Sequence, residues 1–384
     1  MTDATSAAKD GGTNAAKKAA KTTANSTDKP TDKPTDKPTD KPGAKAAAKT
    51  AAKPSAKNAP KPAGKDPAKS AAAEGGTGAG TARLEDGLRV LVGYSPDERG
   101  DDALALGSLA ARTAGSPLVV ANVHPPSWPS RGPGSVDAEW LAYLREQSAA
   151  ALAQAADRLA EMKHPKRGVE YRTLAHRGSG RGLLEVARES GANLVVVGSA
   201  PRGRRDRFAI GSTADQLLHG SPIPVMLAPR GYAEDAPKKF ERLSVAYFRR
   251  RDVQAPLDAV ATLAAALGLP VRLITLVLRP SGLPARFRGA DDVVQRQFDQ
   301  AEKDLEHARG LLAERGVRDV ETEAVQGAGI TKALGGVEMR PGEVLATMSS
   351  HEGPLRKVFL GESSGKIVRA SGVPVLVLPR AHAR

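Results

Sequence analysis

SPIPVMLAPR at Ser221–Arg230 returns as SGVPVLVLPR at Ser371–Arg380, 150 residues later. Each copy holds a short β-branched run bounded by Ser and Pro, which reads as a buried strand. Gly203 and Gly211 reappear at the same offset as Gly353 and Gly361. Upstream, VLVGY (Val90–Tyr94) matches LSVAY (Leu243–Tyr247) at an offset of 153, and RLITLVL (Arg272–Leu278) takes the place of the second strand. Two copies of one fold, residues 87–231 and 240–380, are therefore joined by the polar linker Tyr232–Lys239. Such a duplication predicts a pseudo-twofold molecule, because two equal surfaces can pair within one chain as they would in an isologous dimer.

The first copy supplies the element order. Strands are expected at 88–93, 117–123, 169–175, 193–198 and 223–228, and helices at 101–114, 137–163, 180–190 and 212–219. The third strand is the most polar and belongs near a sheet edge. Strands alternating with helices over this length predict an α/β unit with a parallel sheet.

The 384 residues carry 57 Lys+Arg against 43 Asp+Glu, a net charge of +14, and no Cys. The missing cysteines exclude a disulfide scaffold, a Cys-ligated zinc site and a Cys nucleophile. No apolar run reaches the roughly 18 residues of a membrane span, and MTDATSAAKDGG at the N-terminus has no apolar stretch of a secretory signal. The expectation is a cytoplasmic protein. Residues 1–70 hold 15 Lys against 7 Asp, while the basic residues beyond them are mostly Arg.

Residues 1–86 have no aromatic side chain and, apart from Met1, no apolar one larger than Ala except Leu84. They cannot bury enough surface to offset backbone ordering entropy of about 1–2 kcal/mol per residue, so a disordered tail is expected. TDKP occurs four times in Thr27–Pro42, and Lys falls at every fourth residue from Lys29 to Lys69. Recurrent prolines break any helix that this spacing would line. Two readings stay open: lysines that neutralise phosphates of a nucleic acid or other polyanion without base readout, or a solubilising spacer, since the Asp of each TDKP offsets charge. In composition the tail resembles the basic tails of linker histones and bacterial histone-like proteins.

The strand–glycine-loop–G-[ST]–helix–S-x-x-PV-x-V-x-PR pattern in both copies resembles the C-terminal half of the universal stress protein family. The resemblance implies two tandem adenine-nucleotide alpha-hydrolase-like (Rossmann-like) domains, each a five-stranded parallel sheet with helices on both faces. ATP-binding members of that family carry G-x2-G-x9-G-[ST] after the fourth strand and an Asp at the end of the first. Glycines there let backbone N–H groups approach phosphates beside a helix N-terminus. In copy one, Gly198 matches the first glycine, and Gly211 and Ser212, followed by Thr213, match the last positions. Pro201 replaces the second glycine, with Gly203 two residues on. Ser95 stands at the Asp position with Asp97 nearby, and Val123 matches the residue whose backbone meets adenine. Arg202, Arg204, Arg205 and Arg207 crowd the loop and could clamp phosphates. In copy two, Met348, His351, Gly361 and Glu362 occupy the motif and Phe248 the Asp position, so no ATP is expected there; Glu362 is a candidate cap of its own helix.

Catalysis has little support in the pattern. The seven His show no metal-ligand spacing, and Ser179 lacks a G-x-S-x-G elbow. His176 and the glycine-rich Arg177–Gly182 lie at a carboxyl strand end, where α/β sheets bind ligands. Trp140 and Tyr143, three apart on one helix, are expected to pack, and Trp128 to fold back on the core. The resulting expectation is a stress-response binding protein with a weak adenine-nucleotide site in copy one only, intramolecular pairing of its copies and an unidentified protein partner. An ATP-dependent switch or slow ATPase and a tail-led nucleoid protein are the alternatives; homodimerisation is also open.

Overall fold

The structure, a computed structural model, describes residues 84, 86–126, 136–200, 208–248, 254–279, 290–349 and 360–379. The first half runs β1 (Val90–Gly93), α1 (Glu98–Ala114), β2 (Leu118–His124), α2 (Val136–Glu161), β3 (Val169–Ala175), α3 (Ser179–Ser190), β4 (Leu194–Gly198), α4 (Ser212–Leu218) and β5 (Val225–Ala228). The second half repeats the order with β6 (Arg242–Ala246), α5 (Gln254–Leu267), β7 (Val271–Leu278), α6 (Ala290–Glu314), β8 (Val320–Gly327), α7 (Ile330–Gly335), β9 (Glu343–Met348), α8 (Glu362–Ala370) and β10 (Val375–Leu378).

The two halves are not separate sheets. All ten strands form one sheet in the order β3-β2-β1-β4-β5-β10-β9-β6-β7-β8. Within each half the strands are parallel, and β5 and β10 join them antiparallel, with Leu376 opposite Met226. This explains why the duplicated SPIPVMLA and SGVPVLVL segments are so apolar. They lie at the centre of the sheet, covered on both faces, and Val225, Met226, Val375, Leu376 and Val377 are fully buried. Their serines do the same work: Ser221 Oγ donates to Ile223 O at 2.6 Å, and Ser371 Oγ to Val373 O at 2.8 Å.

Local chemistry sets the helix ends. α1 starts three residues before its expected first turn, because Asp97 caps it by accepting from the Arg99 and Gly100 N–H groups. It stops at Gly115, whose φ of 60° lies in the left-handed region. The polar third strand of each half is an outer edge, as its composition suggests.

One difference between the halves matters for packing. On the face covered by α3, the first half presents Leu91 and Val119, both buried in an apolar cluster with Val186 and Ala187. The corresponding residues of the second half are Ser244 and Arg272, and its covering helix α7 has 6 residues against the 12 of α3. The shortfall is filled by charge. Arg272 and Arg242 converge on Glu343 of β9, which is 1% exposed, and reach out to Glu323 and Glu321. The segment after α7 closes over them: Glu338 O accepts from Arg272 at 3.2 Å, and the Arg340 N–H donates to Glu343 at 2.9 Å.

The expected packing of Trp140 and Tyr143 is not what the structure holds. They stack on each other on the surface, centroids 5.5 Å apart, while 48% and 49% exposed. Trp128 lies outside the described residues.

Candidate nucleotide site

At the carboxyl ends of β1, β2 and β4 the first half has a cleft of about 210 Å³. It sits where the order 3-2-1-4-5 reverses direction, between β1 and β4, the place where open α/β sheets bind ligands. Ser95, Val123, Gly198 and Thr213 line it, together with Arg99 and Ser179, which the motif alone did not single out as ligand contacts. Gly211 and Ser212 do not. They line a second cleft of about 570 Å³ between the halves, with Asp215 and His219 on one side and Gly361, Glu362 and Arg369 on the other. The structure thus divides the motif residues between two places. Arg202, Gly203, Arg204, Arg205 and Arg207 lie outside the described residues, as do Pro201 and His351.

Each lining group has a local reason for its position. Ser95 Oγ donates to Asp97 Oδ1 at 2.8 Å, and the Arg99 guanidinium pairs with the same carboxylate. Burial works to raise the Asp97 pKa, but hydrogen bonds from Arg99, Ser95 and the Gly100 N–H outweigh it and hold the group below its usual range. Asp97 is therefore a helix cap and an ion-pair partner, with hydrogen bonds at both oxygens. Ser179 Oγ and Thr213 Oγ1 are 2.6 Å apart, so two hydroxyls from the starts of α3 and α4 meet in the cleft.

The glycines serve packing as well. A Cβ on Gly198 would fall 2.1 Å from Arg99 O, so its missing side chain admits the start of α1. In the cluster after β3, a Cβ on Gly178 or Gly180 would strike Gln216, and one on Gly182 would strike Val123. That cluster lets α3 approach α4 and β2 closely. His176 has a structural part too: its Nδ1 accepts from the Gly178 N–H at 2.9 Å and shapes the entry to α3. Asn122 also faces the cleft but braces the scaffold, donating to Tyr94 O and accepting from Ser148.

The second half has a different interior at these positions. Phe248, where Ser95 stands in the first half, packs against the apolar cluster of Ala246, Ile274 and Leu345. Met348 replaces Gly198 and is buried, and its carbonyl accepts from Ser364 Oγ at 2.8 Å. Glu362 does not cap α8. The cap residue is Gly361, and Glu362 pairs with Lys366 one turn on at 2.6 Å, which lowers its pKa. An i,i+4 ion pair satisfies the carboxylate while leaving it beside the positive end of the helix. Among the described residues no group of three or more His, Asp or Glu could hold a metal ion, and no helix is long and apolar enough to cross a membrane.

A profile of the Universal stress protein family matches residues 88–229 and again 240–379. The chain belongs to the universal stress protein family. Universal stress proteins of Mycobacterium tuberculosis and Mycobacterium bovis are each 37% identical to it over 297 residues, covering 76% of this chain and all of theirs. Among solved structures, a universal stress protein from Archaeoglobus fulgidus superposes with a TM-score of 0.52 at 16% identity, covering 78% of this chain and 98% of that one, which shows a shared fold. This tandem universal stress protein is thus assigned, by its family, to the response to stress.

Proposed function

We propose that this universal stress protein acts by binding, that its ligand is an adenine nucleotide held in the first-half cleft, and that the second half serves as a packed structural counterpart. The observation that carries this reading is the contrast between equivalent positions. Ser95 and Gly198 border a cleft, whereas Phe248 packs against an apolar cluster and Met348 is buried. The residues present fit such a ligand in part. The Ser179 and Thr213 hydroxyls and the Arg99 guanidinium supply polar contacts, and Val123 contributes apolar wall. With Ser95 at the first-strand Asp position, the affinity is low. The Lys29–Lys69 tail contacts polyanions and localises the folded halves.

Calorimetry with ATP on the full chain tests the cleft. The expected result is micromolar or weaker binding to the wild type, lost in Thr213→Glu, which sets a carboxylate beside Ser179, with an unchanged circular dichroism spectrum. No heat with the wild type overturns the nucleotide reading.

A further inference from the structure

The sheet has two outer edges, β3 in the first half and β8 in the second. An outer strand presents a row of unpaired backbone donors and acceptors and adds another strand unless its chemistry prevents this. On β3, the Leu118 N–H donates to Gly168 O at 3.0 Å and the His176 N–H donates to His124 O at 2.9 Å. Alternate residues of a parallel strand bond to the same side. The even-numbered residues 168–176 therefore turn their amides inward to β2, and the odd-numbered residues 169–175 turn theirs outward. The four central side chains, Glu170, Tyr171, Arg172 and Thr173, are exposed.

We infer that β3 is a homodimer edge, on which a second copy of this chain docks antiparallel with Tyr171 on the twofold axis. Charge selects both the occupant and the register. Centred on Tyr171, the pairing sets Glu170 opposite the partner's Arg172 and Arg172 opposite the partner's Glu170, with outward amides meeting outward amides. Centring on Glu170 or on Arg172 would place like charges directly opposite, which is destabilising. Centring on Val169 or Thr173 leaves both charges without a complement. Glu170 and Arg172 pair within one strand, so the second copy completes an alternating four-charge row on that face. Tyr171, 39% exposed on the other face, meets the partner's Tyr171.

The opposite edge lacks this complementarity. β8 carries Glu321 and Glu323 at the corresponding places, and a copy centred on Thr322 would set Glu321 against the partner's Glu323. Both carboxylates are also drawn toward Arg242 and Arg272. With one self-complementary edge and one blunted edge, association closes at two chains and does not run on into a fibre. The same antiparallel, twofold pairing of strands already joins β5 to β10 inside the chain.

The test is the mass of the full chain by sedimentation equilibrium. The wild type is expected at twice its 40.0 kDa at tens of micromolar. Arg172→Glu and Glu170→Arg should each weaken the dimer about tenfold, since two pairs turn repulsive by symmetry, and Glu170→Arg combined with Arg172→Glu should restore it. The chain has no cysteine, so Tyr171→Cys reports the axis directly. Paired residues of a hydrogen-bonded antiparallel site have Cα atoms about 5.5 Å apart, within disulfide reach, whereas two copies of Ala175→Cys would lie about 26 Å apart. Oxidation should cross-link the first variant and not the second. A wild type of 40.0 kDa across this range, or a dimer unaffected by Arg172→Glu and not cross-linked through Tyr171→Cys, overturns the proposal.

Discussion

Arg272 of β7 and Glu343 of β9 form an ion pair across the intervening strand β6, with Arg272 5% and Glu343 1% exposed. Ser244 of β6 donates to the same carboxylate and accepts from Arg272 Nε at 2.9 Å, so the strand between them takes part. The first half has Val119, Asn193 and Leu91 at these three places. Equal folds have thus been sealed by apolar packing in one half and by charge in the other.

Removing Glu343 alone should cost more than replacing it together with Arg272 and Ser244. Glu343→Gln leaves two arginines buried with one fewer counter-charge, and a loss of about 3–5 kcal/mol is expected in urea unfolding. The triple replacement Ser244→Leu, Arg272→Val and Glu343→Asn, which installs the first-half residues, should lose less than the single change. A triple variant less stable than Glu343→Gln would show that the pair contributes more than its own desolvation.

Acid should expose the same network. Burial acts to raise the Glu343 pKa, but the Arg340 N–H, Ser244, Arg242 and the charge of Arg272 outweigh it and lower the value. Its stabilisation is present above about pH 4.5, the value in the unfolded chain, and is lost as the pH falls through the lowered folded value. Asp102 has the opposite sign. Burial raises its pKa despite hydrogen bonds from Ala233 and Gly231, so its contribution declines as the pH rises from 3.8 toward the folded value. Unfolding free energies measured between about pH 3 and 6 should show a shallower rise with pH in Glu343→Gln and a steeper one in Asp102→Asn.

Asp102 also ties α1 to the segment that follows β5. Its two carboxylate oxygens accept separately, from the Gly231 N–H at 2.9 Å and the Ala233 N–H at 2.8 Å. Asn would turn its own NH₂ toward one of these donors. Asp102→Asn should therefore destabilise by about 1–3 kcal/mol at pH 7 in spite of its equal size. A neutral effect in thermal and urea unfolding would argue against the two-acceptor role.

Glycine to alanine within a helix usually stabilises by up to about 1 kcal/mol. At Gly100 in α1 the sign should reverse, because the new Cβ would lie 1.8 Å from Ser95 O. Gly198→Ala should likewise destabilise without any ligand present, since its Cβ would meet Arg99 O. Melting temperatures of both variants in nucleotide-free buffer check this. A stabilised Gly100→Ala would mean that the turn from Ser95 into α1 can move away from residue 100.

The tail gives an independent prediction. Binding of duplex DNA or another polyanion by the full chain should weaken steeply with salt and vanish when residues 1–71 are deleted, as counterion release requires. Binding that survives the deletion would assign it to the folded halves.

The sequence by itself determined the duplication, the α/β order, the polar edge strands and the family, because each is written in local chemistry. Apolar runs, Ser-x-x-Pro signals and helix-end glycines repeat at a fixed offset and need no distant partner to be read. It also marked Ser95, Val123, Gly198 and Thr213, which the fold gathers at one cleft. What only tertiary structure decided depends on residues far apart in the chain. β5 and β10 fuse two five-stranded sheets into one, and Gly211 and Ser212 turn toward the other half instead of the cleft. Asp97 is engaged by Ser95 and Arg99, and Arg272 finds Glu343 71 residues away. A motif fixes spacing along the chain, but the direction a side chain takes and the partner that meets it are set by packing against elements that the motif does not contain.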